Sequence, residues 1–286
     1  MPGMRLEPPR RLSIICSSNM DNRPVLYYDS GLGGLCYGLS FHSSNPKERL
    51  ICLGDRANFP YGTKSKEELV KFTIALTKKI IALYDPKIMA VACNAASVSA
   101  LAELREEFPQ LPIVGTVPAV KPAVLASKKR RIGILGTQRT NSDPYIESLI
   151  AQYGPDCTAF RTDAPELVQF IEHRWTDADK TEKLRMAANY IDQFREKGAD
   201  AAVLACTHFV FLKDEFIAAS GEDIKIYDSV DGIKKRVEFF LHSDNDHLCS
   251  DSKTEQPVTM AVTGDGPPDP CWEKLALYFG IKLERI

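Results

Sequence analysis

Short apolar runs alternate with amphipathic stretches from Val25 to the end of the chain. Runs such as Val25-Leu26-Tyr27-Tyr28, Ile88-Met89-Ala90-Val91-Ala92, Ile132-Gly133-Ile134-Leu135 and Ala201-Ala202-Val203-Leu204-Ala205 show no two-residue alternation. That is the pattern of strands covered on both faces of a sheet. Further strands are expected at 48–55, 112–115, 157–162, 224–228 and 258–262. Between them lie helical patterns. Ser65 and Glu68 form a capping box ahead of an apolar stripe, Leu69, Phe72, Leu76, Ile80 and Leu83, which is the expected core face of one helix. Others are expected from Leu35, up to about Phe108, near 144–152, from Pro165 at a helix first turn, over 178–197, up to about Leu241 and around 272–279. Strands alternating with helices predict a doubly wound α/β architecture with mainly parallel sheets.

A length of 286 residues fits about two domains. The second half repeats the scheme of the first. The expected division is residues 23–117 with 226–286 in a first domain and 118–225 in a second. The chain crosses at 116–119 and returns with the strand at 224–228. Residues 1–22 contain three prolines and read as a flexible extension, and Met20 is a second candidate start. Residues 242–257 read as a polar loop. It holds His242, Asp244, Asp246, His247, Cys249 and Asp251, whose spacing matches neither a zinc nor an EF-hand pattern, so no metal is expected.

Net charge of −2 at pH 7 offers no basic field for nucleic acid, and Lys128 to Arg131 read as a solvated loop edge. No apolar run reaches the ~18 residues a membrane span needs, and the run at 12–16 is too short for a signal peptide. A cytoplasmic protein is expected. Eight cysteines without a CxxC pair or regular spacing are not a disulfide framework.

Two of the cysteines stand apart. Cys93 and Cys206 each follow a buried-strand run, and each precedes a segment able to turn into a helix. A cysteine there lies in the crevice where open α/β sheets bind ligands, and the helix end is expected to favour its thiolate. Two such thiols in matching settings can face one substrate from opposite sides, taking a proton from one face of a carbon and returning one to the other. Other strand ends carry weaker signals. Asp29 reads equally as a helix cap or a site acid. The turn Ser30-Gly31-Leu32-Gly33-Gly34 lacks the full dinucleotide fingerprint because Cys36 takes its last place, but its N–H groups can hold a carboxylate. Thr137 and Thr140 read first as turn and cap hydroxyls, and Glu172 as a surface helix acid.

In order, Asp29-Ser30-Gly31-Leu32-Gly33-Gly34, Gly54-Asp55, Pro60-Tyr61-Gly62-Thr63-Lys64, Ala92-Cys93-Asn94, Gly136-Thr137 with Thr140, Glu172, Cys206-Thr207-His208, Asp228-Ser229 and Thr263-Gly264-Asp265 resemble the cofactor-independent glutamate racemases of the aspartate/glutamate racemase superfamily. The resemblance implies two pseudo-symmetric α/β domains with the active site in the cleft between them. It implies that Cys93 and Cys206 are the acid/base pair, with Asp29 beside one, His208 beside the other and Glu172 a further polar group. Ser30, Tyr61, Gly62, Asn94, Thr207, Thr137 and Thr140 would hold the amino acid, with Pro60 and Ala95 counted among the substrate contacts. The implied reaction interconverts L- and D-glutamate without a cofactor, supplies D-glutamate for bacterial peptidoglycan, and leaves room for a homodimer.

The chain departs from the family pattern at Ala95, where threonine is usual, at Ala205 for glycine, at Phe209-Val210 for Tyr-Pro, at Ala119 for glycine and at Ala164 for cysteine. Ala95 motivates one alternative, a degenerate racemase fold acting as an amino-acid-binding or regulatory protein; a racemase for aspartate, another activity of the superfamily, is a further one. A decarboxylase of this fold keeps one of the two cysteines, and both are present here.

Overall fold

The computed structural model describes residues 21–242 and 248–286. Of the extension expected over 1–22, only Asp21 and Asn22 fall within it; Met20, Cys16, Asp244, Asp246 and His247 lie outside the described residues. In chain order the strands are β1 (Val25–Asp29), β2 (Leu50–Gly54), β3 (Ile88–Val91), β4 (Ile113–Gly115), β5 (Arg131–Gly136), β6 (Thr158–Asp163), β7 (Ala201–Leu204), β8 (Lys225–Tyr227), β9 (Val258–Val262) and β10 (Lys282–Arg285). The helices are α1 (Gly34–Ser44), α2 (Lys66–Tyr84), α3 (Asn94–Glu107), α4 (Val120–Ala126), α5 (Gln138–Asn141), α6 (Pro144–Tyr153), α7 (Pro165–His173), α8 (Lys180–Glu196), α9 (Lys213–Ser220), α10 (Val230–Leu241) and α11 (Pro270–Phe279).

Every strand pairing is parallel. One sheet runs β10-β9-β2-β1-β3-β4 and the other β6-β5-β7-β8. The continuous apolar runs are explained by what covers them. Val25 and Tyr27 pack with Phe41 and Trp272 on one face, while Leu26 and Tyr28 pack with Leu69 and Ile80 on the other. In the second sheet Ile132 and Ile134 face Ile146 and Ile150, and Leu135 and Leu204 face Tyr190 and Phe194. One core joins the two halves: Leu32 and Leu35 of the first share it with Leu167 and Phe209 of the second.

Two local expectations change. The strand at 224–228, expected to return the chain to the first domain, is β8, an edge strand of the second sheet paired to β7. The chain rejoins the first sheet only with β9, beside β2. The inner face of α2 carries Leu69, Thr73, Leu76, Thr77 and Ile80; Leu83 is 53% exposed. Thr73 can be buried because its hydroxyl donates to the Leu69 carbonyl at 2.8 Å, which satisfies the polar group inside the helix. The Ser65–Glu68 capping box forms in full. Among the described residues no helix is long and apolar enough to cross a membrane.

In each sheet the chain leaves the first strand in both directions: β2 lies on one side of β1 and β3 on the other, as β6 and β7 flank β5. The two crevices so formed, beyond the carboxyl ends of β1/β3 and of β5/β7, are where such sheets accept ligands. Asp29 ends β1, Cys93 follows β3, Thr137 follows β5 and Cys206 follows β7.

Candidate active site

Cys93 precedes α3 with φ −139° and ψ 116°. Cys206 precedes a 3-10 turn, Thr207–Leu212, with φ −140° and ψ 135°. The two cysteines share similar backbone torsions, although an α-helix follows only the first. Both thiols line one cleft of about 230 Å³. Ser30, Pro60, Tyr61, Gly62, Asn94, Ala95, Thr137, Thr140, Thr207 and His208 line it with them. Asp29 and Glu172 stand one layer behind.

The first thiol is supported from β1. Cys93 Sγ lies 3.8 Å from Ser30 Oγ. Asp29 Oδ1 accepts the Ser30 N–H at 2.5 Å and its hydroxyl at 3.1 Å, and Oδ2 accepts the Thr207 hydroxyl at 2.6 Å from the other half. Asp29 is fully buried, and burial raises its carboxyl above the ordinary range despite His208 and these hydrogen bonds. No side-chain cap forms at α1; the carboxylate meets the Ser30 and Gly31 N–H groups and, from the other half, the Thr207 hydroxyl. Burial, and after it the Asp29 charge, push the Cys93 thiol well above its usual value. The α3 N-terminus acts in the expected direction, through the Ala96 N–H, but is outweighed. At Cys93 the pull of the helix end toward thiolate is therefore outweighed by burial.

The second thiol is supported from behind. Cys206 Sγ lies 3.8 Å from His208 Nδ1, and His208 Nε2 lies 2.6 Å from Glu172 Oε1. Burial alone lowers the imidazole's proton affinity; its hydrogen bonds to Cys206 and Glu172, with their negative charge, overcome this and raise it well above 6.5. Glu172 is no surface acid: it is 4% exposed. Its Oε1 also accepts the Leu32 N–H at 2.6 Å, and its Oε2 accepts the Trp272 indole N–H at 3.0 Å.

The glycine turn after β1 does hold carboxylates, and they are the protein's own, Asp29 and Glu172. Close approach demands its glycines. A Cβ on Gly31 would stand 2.0 Å from Glu172 Oε1, and one on Gly33 2.3 Å from Thr207 Oγ1.

The rest of the lining comes from opposing loops. Both amide atoms of the Asn94 side chain are buried without a hydrogen-bond partner. The Tyr61 hydroxyl donates to Asp55 Oδ2 at 2.5 Å and also meets the Tyr28 hydroxyl, so Tyr61 gives the cleft its ring and backbone. Thr137 and Thr140 hydroxyls stand 3.3 Å apart. Gly62 and Thr137 meet across the cleft mouth: a Cβ on Gly62 would lie 2.8 Å from that of Thr137.

Sequence reasoning missed several contributors. Phe59, Gln138, Val168 and Gln169 line the cleft, the last two one turn before Glu172 on α7. Asp55, quoted with Gly54 for the resemblance but given no site role there, directly follows β2 much as Asp29 ends β1. Trp272 gave no signal, being 100 residues from Glu172.

The Asp/Glu/hydantoin racemase family model matches residues 40–233. Glutamate racemase of Sphingopyxis alaskensis is 40% identical over 216 residues, 75% of this chain and 80% of that protein. Glutamate racemase of Treponema pallidum is 37% identical over 211 residues, 73% and 78% of the two chains. Among solved structures, Escherichia coli glutamate racemase in complex with L-glutamate and the activator UDP-MurNAc-Ala aligns with a TM-score of 0.79 at 28% identity, covering 92% of this chain and 98% of that one. Thermus thermophilus glutamate racemase in complex with β-chloro-D-alanine aligns at 0.72 and 27% identity, covering 93% and 97%. Matched over most of its length in both sequence and fold, the chain belongs to the glutamate racemases of the Asp/Glu/hydantoin racemase family.

Proposed function

We propose that the chain interconverts L- and D-glutamate by direct proton transfer between Cys93, Cys206 and the α-carbon. The observation that carries this reading is the pair of thiols at equivalent strand ends, in matching backbone conformation, on one cleft. The α-hydrogen is a very weak acid, so position and electrostatics must lower the barrier. In one direction the Cys206 sulfur takes the α-proton and the C–H electron pair stays on carbon, delocalised into the carboxylate. The Cys93 thiol then gives its proton to the opposite face. The reverse direction exchanges the roles.

Each sulfur has a partner suited to proton traffic. Burial brings the Asp29 carboxyl nearer the basicity of a thiol, and His208, held as the cation, can pass a proton to or from Cys206. The unpartnered Asn94 amide, the Thr137 and Thr140 hydroxyls and the first turn of α3 supply donors where charge grows on the amino acid's carboxylate. Ala95 adds only a methyl group, so the hydroxyls of 137 and 140 carry more of the substrate than in relatives with threonine there. The product serves peptidoglycan synthesis in the cytoplasm.

The test is circular dichroism of L- and of D-glutamate with the purified protein and no added pyridoxal phosphate. Either enantiomer should decay to zero ellipticity, with L-aspartate unchanged. A signal that stays constant with both glutamate enantiomers at high protein concentration would instead support a binding protein.

A further inference from the structure

The support for Cys206 does not end in its own half. Glu172 lies on α7 of the second half, yet the donor to its Oε2 is the indole N–H of Trp272 on α11, which follows β9 of the first sheet. Trp272 is 2% exposed, and its N–H has one hydrogen-bond partner, that carboxylate. The fit is built from both sides. A Cβ on Gly54 would stand 2.2 Å from Trp272 Cη2, just as one on Gly31 would collide with Glu172. α11 is also clamped to the stretch of chain that carries Glu172. Asp269, its N-cap, meets His173 at 2.8 Å, Lys274 meets Asp177 at 2.5 Å, and Cys271 Sγ lies 3.6 Å from the Ile171 carbonyl. Cys93 is supported by Ser30 and Asp29, and Asp29 reaches the Cys206 side only through the Thr207 hydroxyl.

We propose that Trp272 is a positioning residue for this reaction: by holding Glu172 it fixes His208 and so tunes how Cys206, and not Cys93, carries its proton. This rests on the reading of the two cysteines as proton carriers. It has a consequence that a purely structural role lacks. L- and D-glutamate have equal energy, so kcat/KM must be the same in both directions for any variant. The ratio of the two kcat values is free. It reports the relative energy of two bound forms that differ in which cysteine holds the proton, and a change confined to Cys206 moves it. Loss of folded protein scales both kcat values alike.

The experiment compares Trp272→Phe with the wild type, measuring kcat and KM from each enantiomer. The ratio of the two kcat values should shift by about fivefold, the equivalent of one net hydrogen bond of about 1 kcal/mol, while kcat/KM stays equal in the two directions. A chain carrying benzothienylalanine at 272 keeps the bicyclic shape, lacks only the N–H, and should give the same shift if the phenylalanine variant folds poorly. An unchanged kcat ratio in both variants, whether or not total activity falls, overturns the role of Trp272. A wild-type protein without racemisation overturns the underlying reading instead.

Discussion

Replacing Glu172 by glutamine keeps the side chain's size and removes its charge, and the contacts of the carboxylate set the cost. It receives three N–H groups: Leu32 at 2.6 Å, His208 at 2.6 Å and Trp272 at 3.0 Å. A glutamine amide has one oxygen. If that oxygen stays with Leu32 and His208, its NH2 confronts the indole N–H, leaving a buried donor unsatisfied at about 1–3 kcal/mol. The His208 cation also loses its counter-charge, and an uncompensated buried charge costs about 3–5 kcal/mol unless the imidazole sheds its proton. A net destabilisation on the order of 3 kcal/mol is expected, a fall in Tm of roughly 6–12 °C for a chain of this size. The pH dependence comes from the raised His208 value. A histidine whose folded pKa exceeds its unfolded one stabilises fully below the unfolded value, near 6.5, and loses that contribution as pH rises through the folded value. The gap between wild type and variant should therefore be widest near pH 6 and narrow toward alkaline pH. Urea unfolding at several pH values measures it, and racemisation should drop about 10²-fold because Cys206 loses an oriented partner. Equal stability at pH 6 with full activity would refute the linkage from Glu172 through His208 to Cys206.

Cys93→Ser and Cys206→Ser should each reduce racemisation by at least about 10³-fold with Tm within a few degrees of wild type, checked by polarimetry and thermal melts. Asp29→Asn should melt higher than wild type at pH 7 yet be nearly inactive. A buried carboxyl with a raised pKa stabilises below its unfolded value and loses that contribution as pH rises through the folded value, so the advantage of asparagine should shrink toward pH 4. Gly62→Ala should raise KM several-fold with a smaller effect on kcat, because the new methyl meets Thr137 at the cleft mouth; steady-state kinetics decide it.

Strands covered on both faces were the most legible part of the chain, since burial at every position of β1, β3 and β7 forces unbroken apolar runs. Cys93 and Cys206 could be paired for the same reason: each follows such a run. Two edge strands were less legible. β8 has only three residues, one exposed and two half-buried, and such a pattern does not say which sheet it joins; β10, half polar, gave no strand signal at all. The roles of Glu172 and Trp272 depend on contacts across 140 and 100 residues, which no local pattern encodes. At Cys93 the sequence displays the helix end, which favours thiolate, and hides the burial that opposes it.

Racemisation of L-glutamate in heavy water, stopped early and read by mass spectrometry of the separated enantiomers, bears most directly on the two-thiol scheme. Newly formed D-glutamate should carry one deuterium at the α-carbon while the remaining L-glutamate is largely protiated, since the proton returned comes from a second, solvent-exchanged sulfur. D-glutamate that retains its original α-hydrogen would contradict it.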